Sequence, residues 1–397
     1  MQNNKLRMAI RATAAVAAFG MAGQAAALDV PTGDWDTSIY GYAAMNMAYD
    51  IDEDIAASTA AGSFSSITTG DADTSDGHFD ADAFQSRIGL KTMTPEGVKM
   101  VVEGDFRGSG GGELRLRHAY GEYNGVLAGQ TWSNFNSFVG FTSTLDFDSV
   151  SAAGLFGRTS QLRYTTGPLS VSVEEPRSSV TDGTLDADGA LDSATGAKDG
   201  LPTFTARLED SAGSFSYSAA GLVHQVAYEN TTTDEDDSAL GYGAFLAGKI
   251  AINDMISIQG AVNYSDGANQ YMWRTGENYY GEDAYVDPNS GDVETVSSYG
   301  ANIGTSIKLA DNQSINVVYG MTKMDWDDAE NDFAGDATRL ANIQGTAETN
   351  QAIFANYQVT PVKNVMMGVE YAYLKTEDVS GDDGDANRLM FMAKYSF

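Results

Sequence analysis

The segment that most constrains this chain is its last one, residues 387–397. Every second residue counted back from the end is apolar: Phe397, Tyr395, Ala393, Phe391 and Leu389. The alternate set carries both charges of the segment, on Arg388 and Lys394. Because successive side chains of a β-strand point to opposite faces, one face of this strand is apolar and the other can contact water. That pattern is typical of a strand in a transmembrane β-barrel, with lipid outside and water inside.

The same pattern recurs along the chain, as strand, short turn, strand and long acidic loop. It predicts sixteen strands: 37–49, 84–92, 98–107, 113–123, 126–132, 160–166, 169–175, 203–209, 214–228, 240–252, 255–265, 297–309, 314–325, 350–360, 365–376 and 387–397. Short hairpin signals such as Asn124-Gly125 join these strands in pairs. Outer-membrane barrels have an even strand number, short periplasmic turns and long outer loops. The sequence therefore predicts an all-β fold, a 16-stranded antiparallel transmembrane β-barrel with long acidic outer loops.

The N-terminus predicts export. Lys5, Arg7 and Arg11 form a basic start, residues 12–22 are apolar, and small residues end at Ala27. We interpret residues 1–27 as a secretory signal peptide, because the apolar run is too short to span a membrane. The barrel domain is then 28–397, and its location is the outer membrane of a Gram-negative bacterium.

Composition excludes several other functions. The chain has no cysteine, which excludes thiolate chemistry, and its net charge of −32 makes nucleic acid an improbable partner. No phosphate-binding loop, HExxH or Gly-x-Ser-x-Gly motif is present, so we expect no enzyme activity and no cofactor. The acidic outer stretches, such as Asp71 to Asp82 and Glu377 to Asp385, could hold Ca²⁺ or Mg²⁺ that bridges to lipopolysaccharide phosphates. A solvated acidic surface is the simpler interpretation.

A barrel of sixteen strands is too wide for side chains to fill, so the inward-facing residues should line a channel. Alternation places a set of basic side chains on that inner face. The set is Arg87, Lys91, Lys99, Arg107, Arg115, Arg117, Arg163 and Arg207. Guanidinium groups there could bind carboxylate solutes. Equally, they could pair with Glu103, Asp105 or loop acids.

Residues 133–159, between the fifth and sixth strands, form the candidate constriction loop. A loop in this position folds into the pore of sixteen-stranded porins, and Asp146 and Asp148 would be its acids. The alternative is an outer loop that stays outside the pore. Alternation also places His118 on the outward face, as a packing residue.

Several stretches resemble the DcaP-like family of Gram-negative trimeric outer-membrane porins. They are Tyr40-Gly-Tyr42, Ser86 to Lys91, Glu103 to Phe106, Leu114 to Tyr120, Ala128 to Ser133 and Arg158 to Tyr164. The resemblance implies a homotrimer that passes small anionic solutes such as dicarboxylates, with pore-lining roles for Arg87, Arg115, Arg117, Arg158 and Arg163. The terminal Phe397 resembles the signal read by the outer-membrane assembly machinery. Members often carry an N-terminal coiled-coil extension, for which this sequence has no room.

The sequence is thus interpreted as a porin for passive diffusion of small hydrophilic, anionic solutes, surrounded by outer-membrane lipid and lipopolysaccharide. Two alternatives stay open. The acidic loops would favour a general or cation-preferring porin, and divalent-ion binding by the loops would favour a structural surface protein.

Overall fold

A computed structural model describes residues 27–70, 74–187, 189–230 and 235–397. The predicted signal peptide, apart from Ala27, lies outside the described residues, as do parts of two acidic stretches, at 71–73 and 231–234. Within the part of the chain that the structure describes, no helix is long and apolar enough to cross a membrane.

Sixteen antiparallel strands form the barrel, as predicted. They are β1 Trp35–Asp50, β2 in two segments His78–Asp82 and Arg87–Met93, β3 Lys99–Gly108, β4 Glu113–Tyr123, β5 Val126–Trp132, β6 Arg158–Thr166, β7 Leu169–Glu174, β8 Thr203–Ala212, β9 Phe215–Asn230, β10 Glu235–Ala251, β11 Ile256–Asp266, β12 Ser297–Ala310, β13 Gln313–Asp325, β14 Ala347–Val362, β15 Val365–Asp378 and β16 Asp383–Ser396. Each pairs with the next in chain order.

The barrel closes between its first and last strands. The ladder of β1 and β16 runs from Tyr42 opposite Ser396 to Asp50 opposite Arg388. Phe397 extends this ladder, since it exchanges two backbone hydrogen bonds with Gly41, at 3.0 and 3.1 Å. A further strand that the sequence did not predict, Leu28–Thr32, folds back on β1 as a hairpin. All edges of the barrel wall are therefore paired at the seam.

The hairpin of β15 and β16 is longer than predicted. The stretch Glu377 to Asp385, expected as a loop, continues the ladder as far as Glu377 opposite Asp383. Lys375 and Asp383 form an ion pair at 2.7 Å across it. The acidic residues predicted a loop because acidic residues are rare in strands. An existing ladder can nevertheless extend through them at a small cost in free energy when a basic residue on the opposite strand, here Lys375, pairs with the carboxylate.

The alternation predicted for the last strand is confirmed. Phe391 and Tyr395 are 41% and 53% exposed on the isolated barrel, whereas Met390 and Met392 are only 1% and 8% exposed. The other strands continue this exposed apolar surface, for example at Val262 with 54%. The outer face is therefore the lipid-facing surface.

Only part of the inner face of the barrel is exposed to water. On β13 to β16 the inward side chains include Val318, Phe354 and Leu374, which pack with Ile55 and Phe64 of the first long loop. Arg388 of β16 is fully buried, forms an ion pair with Asp50 at 3.2 Å and donates to the carbonyl oxygen of Ala61. Residues 51–70 therefore cover this side of the inner face.

The other long loops close over the outer end. Residues 175–202 and 267–296 contribute a small four-stranded sheet of Leu191–Ser193, Val180–Leu185, Ala284–Val286 and Val293–Thr295. Residues 326–346 contain two short helices, α1 Asp327–Asp332 and α2 Ala337–Gln344. Trp326, Phe333 and Tyr285 are buried together beneath them. The loops are thus folded structures with their own apolar core.

Candidate functional site: a basic wall and an inward-folded loop

Nine basic residues on β2, β3, β4, β6 and β8 form what we call the basic wall. It comprises the sequence-predicted set Arg87, Lys91, Lys99, Arg107, Arg115, Arg117, Arg158, Arg163 and Arg207. Its centre is a network on β3 and β4. The Arg115 guanidinium donates to both carboxylate oxygens of Asp105, at 3.0 and 2.8 Å. The fully buried Arg117 donates to Glu103 and to Asp105, each at 2.9 Å.

Other members of the wall have single carboxylate neighbours. These are Arg87 with Glu103 at 3.8 Å, Lys99 with Glu122 at 3.1 Å, Arg107 with Asp82 at 3.5 Å and Arg207 with Glu209 at 3.8 Å. Much of the wall is therefore internally paired, which was the alternative left open by the sequence. Pairing of this kind holds the guanidinium groups in fixed orientations.

Three members have no carboxylate within 4.0 Å among the described residues: Lys91, Arg158 and Arg163. Arg158 instead lies over the Trp132 ring, with its Cζ 4.8 Å from the ring centroid. The Nε atom of Arg163 is buried without a hydrogen-bond partner. Nine cationic groups thus face five neighbouring carboxylates, so the wall has an excess of positive charge.

His118 lies on the inner side, and its expected outward position is wrong. The ladder of β3 and β4 shifts register between Glu103, opposite His118, and Gly104, opposite Leu116. Arg117 is the extra residue of this β-bulge, which reverses the alternation beyond it. The His118 ring consequently bonds the Thr131 hydroxyl at 3.0 Å and lies 4.0 Å from Glu103.

Residues 133–157 fold into the barrel and lie against β11 to β15. Inward-facing asparagines of β11, β12 and β14 form hydrogen bonds with the backbone of this segment. Asn263 donates to Ala152 O, Asn302 to Ser151 O and Asn356 to Ser143 O, each at 2.8 Å. These amides hold the loop against the wall that faces the basic wall across the lumen.

Glu370 of β15 attaches this loop through two backbone hydrogen bonds. Its two carboxylate oxygens accept the backbone N–H groups of Leu145 and Asp146, at 2.8 and 2.7 Å. Asp146 in turn accepts the N–H groups of Asp148 and Ser149 through Oδ1, and that of Gly62 through Oδ2. Asp146 therefore organises the turn of the loop and links it to the first long loop.

Asp148 lies beneath the loop surface. It is 5% exposed, and burial together with the neighbouring charge of Asp146 raises the pKa of its carboxyl group. Its carbonyl oxygen accepts the Trp273 indole N–H at 2.7 Å. Both acids that the sequence assigned to the candidate constriction are thus buried within the packing of the loops.

Glycines on the inner face make room for the loop. A Cβ added at Gly320 would meet Val150 Cβ at 2.5 Å, and one at Gly368 would meet Leu145 Cδ2 at 2.9 Å. Gly304 faces Thr142 in the same way. The backbone of the loop can therefore approach the wall more closely than side chains would allow.

Aromatic side chains of the loop meet the basic wall. Phe147 lies between two guanidinium groups, with its ring centroid 5.5 Å from Arg87 Cζ and 5.6 Å from Arg117 Cζ. Phe147 packs on Phe156, which also packs on Trp132 beneath Arg158. The loop thus spans the lumen from the glycine-lined wall to the arginines.

Sequence reasoning missed two basic residues near this site. Lys394 of β16 lies over the Tyr42 ring at 5.2 Å, and its position in the charged set of the last strand was a sufficient signal. Arg177 lies over the Tyr280 ring at 4.5 Å. It lies three residues beyond Glu174, the last residue of β7, so strand alternation alone did not assign its direction. Among the described residues, no group of three or more histidine, aspartate or glutamate side chains is arranged to hold a metal ion.

Comparisons with known proteins agree with this architecture. The family model described as DcaP outer membrane protein matches residues 20–397. The crystal structure of the outer membrane channel DcaP of Acinetobacter baumannii is similar, with a TM-score of 0.75, 29% sequence identity and coverage of 94% of this chain and 100% of that chain. No curated protein matches the chain in sequence.

Two other solved structures share the fold at low sequence identity. OmpT, an outer membrane protein of Vibrio cholerae, has a TM-score of 0.56 at 12% identity, with 94% of this chain and 100% of that chain covered. An anion-selective porin from Comamonas acidovorans has a TM-score of 0.53 at 12% identity, with 91% and 100% covered. Since the family model spans nearly the whole chain and the fold is a closed sixteen-stranded barrel, the chain belongs to the DcaP outer membrane protein family, as a porin-type channel of the Gram-negative outer membrane.

Proposed function

We propose that this porin carries small hydrophilic anions, including dicarboxylate-like solutes, across the outer membrane by passive diffusion. The observation that carries the proposal is the excess of positive charge on the basic wall, where nine cationic groups have five carboxylate neighbours within 4.0 Å. Fixed guanidinium groups attract carboxylates and bind them in well-defined orientations.

The internal pairing of the wall supports weak rather than tight binding. Arg115 and Arg117 already donate to Asp105, so a passing anion competes with a carboxylate that stays in place. A channel needs solutes to bind well enough to enter and weakly enough to leave. Arg158 and Arg163, which have no carboxylate within 4.0 Å among the described residues, would then provide the stronger attraction.

Residues 133–157 are proposed to set the size limit of the channel. The support is their position, since Glu370 and the asparagines of β11, β12 and β14 attach them to the wall opposite the arginines. Solutes would pass between this segment and the basic wall.

The strongly acidic exterior opposes anion entry, and the net charge of the chain is −32. At physiological ionic strength the field of exposed charges decays over roughly 8 Å. Groups at the basic wall lie inside the barrel, so their local field would govern a solute that has entered. If the field of the acidic exterior instead controls which ions enter, the porin would prefer cations.

The homotrimer implied by the family resemblance is also a proposal. It predicts a particle of about three times the chain mass, 42.1 kDa, in addition to bound detergent.

Divalent cations are also proposed to bridge the acidic loops to lipopolysaccharide. If they do, removal of the cations with a chelator should release bound lipopolysaccharide from the protein.

The test is the reversal potential of the purified protein in a planar bilayer under a salt gradient. Anion selectivity in the wild type, reduced in a triple variant Arg115→Gln, Arg158→Gln and Arg163→Gln, supports the proposal. Arg339→Gln is a matched control, because Arg339 pairs with Asp182 and Asp336 in the outer loops. Cation selectivity in the wild type, or unchanged selectivity in the triple variant, would overturn it, and an absence of conductance would favour a structural role.

A further inference from the structure

Four lysines occupy equivalent positions at one end of the barrel. Each is the third residue from the end of its strand, and we call the four the mouth lysines: Lys91 of β2, Lys249 of β10, Lys308 of β12 and Lys394 of β16. All four strands are even-numbered strands of an antiparallel wall, so they end on the same side. Short turns follow β2, β10 and β12 there, and short turns mark the periplasmic side of outer-membrane barrels. The mouth lysines therefore lie at the periplasmic mouth.

The mouth lysines belong to the inner face of the wall. Each has a neighbour in sequence that is exposed on the lipid-facing surface, and these neighbours are Leu90, Ile250, Leu309 and Tyr395. Successive side chains of a strand point to opposite faces, so the lysines point toward the lumen. The strands β16 and β2 flank β1, whereas β10 and β12 flank β11 on another part of the wall. The positive charge is thus distributed around the mouth and is not confined to the side of the basic wall.

Ion pairs neutralise little of this charge. Among the described residues, Lys91, Lys249 and Lys394 have no carboxylate within 4.0 Å. Lys308 pairs with Asp311 at 2.7 Å, but Asp311 lies in the turn after β12 and its side chain is fully exposed. Exposed pairs of this kind are weak, since water and salt screen both charges.

The other carboxylates at this end lie beside the turns. Asp34, Glu96 and Asp254 are exposed turn residues, and Asp29 and Asp36 are exposed on the hairpin of the N-terminal strand with β1. Their fields decay within roughly 8 Å of water at physiological ionic strength. An ion inside the mouth is therefore influenced most by the lysines that face it.

The outer end of the barrel carries the opposite charge. Four of the six residues of α1 are acidic, and none is basic: Asp327, Asp328, Glu330 and Asp332. The outer hairpin at 284–295 adds Asp287, Asp292 and Glu294. Fixed charges of one sign around an opening raise the local concentration of ions of the other sign. Cations are therefore enriched at the outer mouth and anions at the periplasmic mouth.

We propose that the mouth lysines and the acidic outer loops make conduction through this channel depend on the direction of the electric field. When the outer side is positive, the field drives cations in from the acidic end and anions in from the lysine end. Both kinds of ion then accumulate in the channel, so its conductance rises, and the opposite polarity depletes both. The inference rests on the passive ion conduction of the proposed function and not on its preference for anions.

The test compares currents at equal positive and negative voltages through the reconstituted protein in symmetric KCl of about 0.1 M, where the Debye length is ~10 Å. Because the chain has no cysteine, Ser290→Cys in the exposed outer hairpin can carry a bulky thiol label that reports which side of the bilayer the outer loops face. The wild type should pass the larger current with the outer side positive. The difference should fade at about 1 M KCl, where the Debye length is ~3 Å.

A triple variant, Lys249→Gln, Lys308→Gln and Lys394→Gln, should lose most of this difference between the two directions. Lys363→Gln is the matched control, because Lys363 is exposed in the turn between β14 and β15 at the same end of the barrel. This control should keep the wild-type difference. An equal loss in the control would overturn the inference, because it would indicate only the general charge of the periplasmic surface.

Charge can also be restored chemically at a single position. Lys249→Cys should reduce the difference, a cationic thiol reagent should restore it, and an anionic reagent should reduce it further. Failure of the cationic reagent to restore the difference, when labelling is complete by mass spectrometry, would count against the mouth lysines as its source.

The outcomes separate this inference from the proposed function. A cation-selective wild type whose current asymmetry is lost in the triple variant would retain the inference and overturn only the anion preference. An anion-selective wild type with equal currents in both directions, or with the same asymmetry in the triple variant, would overturn the inference alone.

Discussion

The carboxylate of Glu370 accepts the backbone N–H of Asp146 at 2.7 Å, and so connects strand β15 to a loop more than 200 residues earlier in the chain. A second oxygen accepts Leu145 N and Asn356 Nδ2, each at 2.8 Å. All three neighbours are donors, which suits a group that only accepts. Glu370 is 1% exposed, so solvent does not replace a lost bond there.

Glu370→Gln should therefore loosen residues 133–157. One acceptor oxygen becomes an NH₂ group that faces a donor, at a cost of about 1–3 kcal/mol. We expect a lower melting temperature in detergent and a noisier, altered single-channel conductance. Glu348→Gln is the control, since Glu348 of β14 pairs with Lys323 at 2.9 Å. An unchanged conductance in Glu370→Gln would show that this carboxylate does not position the loop.

Gly320→Ala should push the same segment toward the basic wall. Its new Cβ would lie 2.5 Å from Val150 Cβ, which is too close for any pair of carbon atoms, so the loop has to move. We expect a smaller conductance and slower permeation of the larger anions. At Gly221 an added Cβ meets no atom nearer than 3.8 Å, so Gly221→Ala should match the wild type. Equal conductance in the two variants would contradict the proposed role of the loop.

Arg117→Gln and Arg158→Gln should separate stability from selectivity. Arg117 is fully buried between Glu103 and Asp105, and breaking such a network costs roughly 3–5 kcal/mol. Arg158 has only its aromatic contact among described residues, so Arg158→Gln should leave the melting temperature nearly unchanged and reduce anion selectivity. Thermal unfolding and reversal potentials measured on both variants check this. A destabilised Arg158→Gln would indicate an essential packing role instead.

The junction between the two outer loops at 175–202 and 267–296 should depend on pH. Burial raises the pKa of Glu282, whose carboxyl group accepts the Ser179 hydroxyl, to about 7. Burial also raises the pKa of Asp283, which accepts Ser179 N at 3.1 Å. A raised pKa means that the folded junction binds protons more tightly than the unfolded chain. Its contribution to stability is therefore fully present below pH about 4 and is lost as the pH rises to about 7.

Hydrogen-exchange protection of residues 176–185 should consequently be higher at pH 5 than at pH 8. Glu282→Gln, which cannot ionise, should remove part of this difference, and Asp283 should account for the remainder. Asp76→Asn, in an exposed part of the first loop, should retain it. If hydrogen-exchange protection in the wild type rises with pH instead, Glu282 and Asp283 do not control the stability of this junction.

The inner side of the barrel shows what local patterns cannot predict. Strand alternation correctly placed Arg115 and Arg117 inside, because a period of two depends only on neighbouring residues. It placed His118 outside, since a β-bulge arises from the fit of two strands and leaves no local signal. Alternation placed Arg388 inside but could not show that a loop buries it completely.

Local sequence patterns were sufficient to predict the barrel, its sixteen strands, its lipid-facing side and the family. Each of these follows from alternation, turn residues or motifs that lie within about ten residues of one another. Which arginines are paired, and where residues 133–157 lie, became clear only from the folded arrangement. Those relationships join loops and strands far apart in the chain, and they are fixed by packing, burial and hydrogen-bond geometry that no local pattern contains.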